Sequence, residues 1–161
     1  MLIGFHTAEE SKCFGNSEVC VLDEETNAPR VAAINIRQDL LSGGHAKRQL
    51  ALRILRQELA HVLGFNIDLI QKFFEQELPI LKERVRGRNI SYLTTPTVRN
   101  LAQDHYRCSD LLGMELQNSM GSPSAYWHEK YAHGEFMTTD TDIFAVSYSQ
   151  FTLAVFADSP W

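Results

Sequence analysis

The chain has 161 residues, 44% hydrophobic and 22% charged, and carries a net charge of −5. That length suits one domain that buries about 70% of its unfolded surface and stands without disulfides. The acidic balance excludes a nucleic-acid partner, because no basic stripe is present to displace counterions, and no apolar run is long enough to span a bilayer.

The first ten residues hold neither a basic region followed by a long apolar core nor an arginine-rich pattern, so no signal or transit peptide is expected there. An intracellular or organellar setting is therefore favoured over secretion. Residues 1–17 lack periodicity and are expected to be an irregular lead-in. Cys13, Cys20 and Cys108 are an odd count that fits reduced thiols. A Cys13–Cys20 pair, or metal binding with histidine help, is the alternative. Residues 18–36 read as a β-hairpin, with Val19–Leu22 and Arg30–Ile36 flanking a turn-rich Asp23–Pro29 loop.

After the Gly43-Gly44 break, residues 46–64 predict an amphipathic helix. Leu52, Leu55, Leu59 and Val62 recur at three and four and should form its buried face, while Lys47, Arg48, Arg53 and Arg56 should be solvated. Gly64 supplies the stop. Gln57 and His61 share one face of this helix with Glu58 beside them, which is the zinc-peptidase layout H-E-x-x-H with glutamine for the first histidine.

Residues 67–161 are expected to be mainly helical. Asp68 to about Leu78 places Leu69, Ile70, Phe73 and Phe74 on an apolar face, and Pro79 should kink this helix or restart a short one through Val85. Arg84–Asn89 reads as a basic loop, and Asn89-Ile90-Ser91 as a chance glycosylation triplet. Thr95-Pro96 is an N-cap and first-turn proline opening a helix with Val98, Leu101, Ala102 and His105. Residues 117–125 form a small-residue loop. A turn-rich region follows around Met137, and a short helix runs from Ser149 to Asp158.

The run Glu58-Leu59-Ala60-His61-Val62-Leu63-Gly64-Phe65 resembles the active-site helix of leishmanolysin-like metallopeptidases, a branch of the metzincins. Thr95–Arg99, Cys108–Leu116, Tyr126–Lys130, Glu135–Thr138 and Ser149–Trp161 follow in the order of that family. The resemblance implies an α+β, metzincin-like catalytic domain with a central active-site helix, a small N-terminal sheet or hairpin and a helical C-terminal part. It also implies a zinc held by three imidazoles, with a glutamate as general base on the bound water.

On this template Glu58 is the base, His61 the second ligand and Met137 the methionine of the turn beneath the site. The first ligand position is Gln57 and the third falls on Tyr126. Both are poor zinc ligands when neutral. His128 is a possible substitute. Without metal, His61 reads as a buried histidine bonded to Glu58 or to a backbone carbonyl, Glu58 needs a partner such as an arginine, and Met137 is core packing. His45, His105 and His133 share no spacing and read as surface or capping residues.

The expectation is a degenerate, truncated member that binds no cofactor and serves as a structural or interaction subunit of a larger, hetero-oligomeric assembly. Signal, pro-segment and cysteine-rich parts typical of the family are not in this sequence. Phe151, Leu153, Val155, Phe156 and Trp161 crowd the last segment, so Phe156, Trp161 or both should be covered by another protein chain across at least about 1,000 Å². The alternatives are an active zinc endopeptidase using His61, His128 and Glu58, and a module whose old cleft takes an extended peptide by edge pairing.

Overall fold

The computed structural model describes residues 1–8, 14–74, 77–119, 122–140 and 147–160. It is a mixed α+β structure with two sheets. The first sheet joins β1 (Leu2–Ala8), β2 (Gly15–Leu22) and β3 (Pro29–Arg37) in the order β1-β3-β2. β2 pairs antiparallel with β3, as the hairpin reading expects. The expected irregular lead-in is instead largely strand: β1 lies parallel to β3, from Leu2 opposite Val31 to Ala8 opposite Arg37. The reason is physical. An edge strand with Leu2 and Phe5 exposed carries no inside/outside alternation, and only pairing with β3 makes it a strand.

β3 alternates, burying Ala32, Ile34 and Ile36. That face packs with Leu40 of α1 (Gln38–Leu41) and with Ala51, Ile54 and Val62 of α2 (His45–Leu63). α2 ends at Gly64, whose φ of 143° suits glycine far better than any other residue. The helix has two buried stripes rather than one. Ala51, Ile54 and Val62 face the first sheet, while Arg53, Gln57 and Ala60 turn to the other half of the molecule. The predicted buried face is therefore corrected. Leu52 is 44% exposed, Leu55 and Leu59 are half-buried, and Arg53, expected in solvent, is 3% exposed.

α3 (Ile67–Phe73) is capped by Asn66, whose side chain accepts from the Asp68 and Leu69 amides, and it buries Leu69 and Ile70. Beyond it the expected helical region gives way to a four-stranded antiparallel sheet. β4 (Ile80–Val85), β5 (Arg88–Leu93), β6 (Met114–Ser119) and β7 (Ser122–Trp127) stand in the order β4-β5-β6-β7. Pro79 thus precedes a strand and not a restarted helix, and the basic loop shrinks to a turn at Arg86-Gly87. The small-residue stretch 117–125 is mostly the end of β6 and the start of β7.

α4 (Pro96–Tyr106) begins where Thr95-Pro96 predicts. Its N-terminal amides are met by a distant group: the Asp158 carboxylate accepts from Thr97 N at 3.0 Å and from Val98 N at 3.4 Å. α5 (Gln150–Ala157) is capped by Ser149. Phe151, Ala154 and Val155 are buried in a second core with Phe65, Leu93, Met114, Leu116 and Trp127, and Phe156 packs half-buried against it. Phe151 and Val155 of the crowded last segment are thus covered by this chain's own core. Leu153 is left exposed, and Trp161 lies outside the described residues. Among the described residues no helix is long and apolar enough to cross a membrane.

Candidate functional site

α2 presents Gln57, Glu58 and His61 between the two sheets, and all three side chains are buried. Opposite them runs the segment around Met137. The Gln57 carboxamide donates to Phe136 O at 2.5 Å and to Thr138 O at 2.9 Å. One turn earlier, Arg53 Nη2 donates to Asp140 O at 2.5 Å. Two polar side chains of one stripe therefore bind α2 to alternate carbonyls of residues 136–140, groups that would be costly to bury unpaired.

Met137 is fully buried in the second core. Its amide donates to Glu135 Oε2 at 2.5 Å, and its carbonyl accepts from Trp127 N at 2.8 Å. Glu135 Oε1 accepts from Thr152 Oγ1 at 2.5 Å and Ser149 Oγ at 3.2 Å, while Thr152 accepts from Trp127 Nε1 at 2.8 Å. Glu135 thus ties the methionine turn to α5. Burial nevertheless outweighs these donors and pushes its carboxyl above the ordinary range.

His61 Nδ1 lies 2.7 Å from Phe65 O. A carbonyl only accepts, so Nδ1 carries a proton and donates this bond. The turn at Gly64 brings that carbonyl back. This meets the expectation of a backbone carbonyl partner. The edge of Tyr126 against His61, with centroids 5.0 Å apart and planes at 89°, fills the next position. Glu58 Oε2 accepts from Ser17 Oγ at 2.6 Å. Its partner is a β2 hydroxyl and not the arginine expected.

Two cavities of about 290 and 280 Å³ adjoin these groups, and both include Gly15, Glu58 and Tyr126 in their walls. His61 lines the second, with Ser17 and Asn66. His128 lines neither. Its Nε2 is 3.6 Å from Glu115 Oε1 and its ring stacks tilted on Tyr131, so the structure does not bring it to His61. Among the described residues no three His, Cys, Asp or Glu gather as a metal-binding group. Cys20 and Cys108 are exposed thiols, and Cys13 lies outside the described residues.

Sequence reasoning gave Ser17 and Glu135 no role of their own and placed Arg53 in solvent. Ser17 is 41 positions from Glu58 and leaves no local signal. Glu135 had one, its place two residues before Met137 in the matched motif.

Fold and site together define a two-sheet α+β domain whose long helix carries a Gln-Glu-x-x-His run beside the buried Met137. The chain belongs to the leishmanolysin family, whose model matches residues 6–160. It is 24% identical to a leishmanolysin-like peptidase of Drosophila pseudoobscura pseudoobscura over 196 residues, covering 95% of this chain and 28% of that protein. A leishmanolysin-like peptidase of Caenorhabditis elegans is 25% identical, covering 96% of this chain and 30% of the relative. Leishmanolysin of Leishmania donovani is 29% identical over 136 residues, covering 81% of this chain and 22% of the relative. The chain spans less than a third of the length of these relatives. An alignment of 196 positions on 161 residues also means that the fly protein carries residues within the matched region that have no counterpart here.

Proposed function

We propose that this domain keeps the leishmanolysin-like scaffold without its peptidase chemistry and acts as a structural or interaction subunit of a larger protein assembly. The observation that carries this reading is the bonding of Gln57. At the position where the family resemblance implies a first imidazole ligand, a carboxamide spends its N–H groups on two backbone carbonyls. It holds α2 to the methionine turn by protein–protein bonds.

Tyr126 adds to this by packing edge-on against His61. The residues at the site do not fit a three-imidazole zinc. One imidazole, one carboxamide and one phenol supply too few strong ligands for the ion. Glu58, the base of the template, is here the acceptor for Ser17. The interaction role is supported by the two edges of the first sheet. β1 exposes Leu2 at 73% and Phe5 at 59%. β2 begins at the wall of the Glu58 cavity, where an extended peptide would add a strand. Protein partners inside a cell or organelle suit this reading.

The second reading, a zinc endopeptidase using His61 and His128, has one observation in its favour. The His61 Nδ1 bond to Phe65 O is of the kind that orients a ligating histidine and leaves Nε2 available.

Elemental analysis of protein purified without added metal decides between them. Less than about one-tenth of a zinc per chain is expected, because loss of first-shell ligands removes such a site. Stoichiometric zinc, released by chelator with loss of stability, would overturn the proposal. Gln57→His alone should not produce a peptidase, whereas Gln57→His with Tyr126→His should raise zinc affinity. An active single variant would assign the third ligand to His128.

A further inference from the structure

On the outer face of the second sheet, away from Gln57 and His61, lies a cavity of about 140 Å³ walled by Tyr92, Tyr106, Tyr131, Leu111, Met114 and Glu115. We propose that it is a binding site for an alkylated ammonium ion, held by the three phenol rings and the Glu115 carboxylate.

The fold builds this cavity with some precision. Tyr92 on β5 and Glu115 on β6 are direct cross-strand partners, so both project from the same face of the sheet. Gly113 lets the strands close at its rim, since a Cβ there would lie 2.0 Å from Leu93 O. Tyr106 closes one side from the end of α4, with its hydroxyl on Met114 Sδ at 3.9 Å. Tyr131 arrives from the turn after β7 and remains 43% exposed, as Tyr106 does at 39%, which leaves the mouth open.

Glu115 makes the cavity a cation site. The residue is 7% exposed, yet its partners are His128 Nε2 at 3.6 Å and Arg88 Nη2 at 3.9 Å, both beyond hydrogen-bond reach. Arg88 is itself a largely exposed side chain, and His128 contributes charge only when protonated. A guest cation in the cavity can approach this carboxylate more closely than either partner does. Burial and the Glu115 charge also hold the Tyr92 phenol above its ordinary pKa, so that ring stays neutral. Lys130 Nζ already rides 5.3 Å from the Tyr131 ring without lining the cavity.

The chemical class follows from what the walls supply. A metal ion needs several oxygen ligands at close range, and a primary ammonium needs acceptors for three N–H groups. One carboxylate among rings, Leu111 and Met114 offers too few. An anion would meet Glu115 unfavourably, and a neutral apolar guest would leave the carboxylate as it is. An alkylated ammonium has few or no N–H groups to satisfy and is attracted by aromatic faces. The volume matches as well, since a cavity of about 150 Å³ holds a benzene ring.

The test is a titration of the folded chain with choline chloride at constant ionic strength, followed by NMR and by tyrosine fluorescence. Saturable binding is expected, with shifts confined to Tyr92, Tyr106, Tyr131 and their neighbours. The neutral isostere 3,3-dimethylbutan-1-ol should bind at least about tenfold more weakly. Tyr131→Ala and Glu115→Gln should each weaken choline by about tenfold or more, while Tyr131→Phe keeps it within a few-fold. Trimethyllysine and glycerophosphocholine in parallel show whether a side chain or a lipid head group is preferred. Absence of saturable binding, equal affinity for the neutral isostere, or full affinity in Tyr131→Ala would overturn the assignment. Tyr131 is exposed enough that its variants fold, so the assignment stands or falls without relying on the behaviour of Glu115→Gln.

Discussion

Two sites on this domain treat a buried carboxylate in opposite ways. At the helix, Glu58 accepts a 2.6 Å bond from Ser17, while Gln57 and His61 beside it are each bonded to backbone carbonyls. At the outer cavity, Glu115 has a guanidinium and an imidazole near it and neither at bonding distance. The first is a site whose polar groups bond within the protein. The second leaves a charge facing space. Resemblance to a peptidase draws attention to the first, but the second offers more unspent interaction energy to a ligand.

Trp127 is the hinge of this comparison and should show the largest effect. It follows Tyr126, which lines the first site, and precedes His128, whose Nε2 is 3.6 Å from Glu115 of the second, and it is fully buried between Phe65 and Phe151. Trp127→Ala should cost about 3–5 kcal/mol, measured by urea unfolding, and should loosen both sites together. If only one site changes, the two are less coupled than β7 suggests.

Gln57→Ala comes next. It strands the carbonyls of Phe136 and Thr138 and should cost about 2–4 kcal/mol. A loss under about 1 kcal/mol would mean that the first site is not bonded as described. Arg53→Ala should cost about 1.5–3 kcal/mol, since a buried guanidinium and the Asp140 carbonyl lose each other. As the solvated charge that periodicity predicts, Arg53 would cost under about 0.5 kcal/mol. Chemical denaturation separates the two.

Glu135 provides a test by pH. Its folded pKa is raised above the ordinary value of 4.5, chiefly by burial. The stability it contributes is therefore fully present below the unfolded pKa and is lost as pH rises through the folded one. Melting curves of the wild type and Glu135→Gln should diverge across that window, with the wild type losing ground as pH rises. Parallel curves would show that the surrounding donors keep the carboxyl in its ordinary range. The smallest effect belongs to the other side of the comparison. Glu115→Gln removes a charge whose nearest partners stand at 3.6 and 3.9 Å and should change stability by less than about 1 kcal/mol, even though it should weaken choline binding by about tenfold or more.

The elements with strong local signals were legible in the chain. The β2–β3 hairpin is announced by two apolar runs around a turn, α2 by its period and Gly64, α4 by Thr95-Pro96, and α5 by Ser149. The family was legible for the same reason, because its motifs are contiguous. What sequence alone did not yield was β1 and the strands β4 to β7. Leu81-Lys82-Glu83-Arg84 is as good a stretch of helix as of strand, and a mostly solvent-facing edge strand shows no period. Only hydrogen bonding to β5, across the turn at Arg86-Gly87, decides it.

The faces of α2 were a tertiary decision as well. Periodicity assumes one apolar stripe, but this helix lies between two cores and fills the second stripe with Arg53 and Gln57, whose polar ends reach carbonyls 87 and 79 residues away. The sequence by itself therefore determined the kinds of group at positions 57, 58, 61 and 126. That Gln57 met backbone carbonyls was decided by the packing of residues 136–140 on α2, and that Glu58 met Ser17 by the placing of β2. A hydrogen bond requires its partners within about 3 Å, and only the folded chain sets that distance.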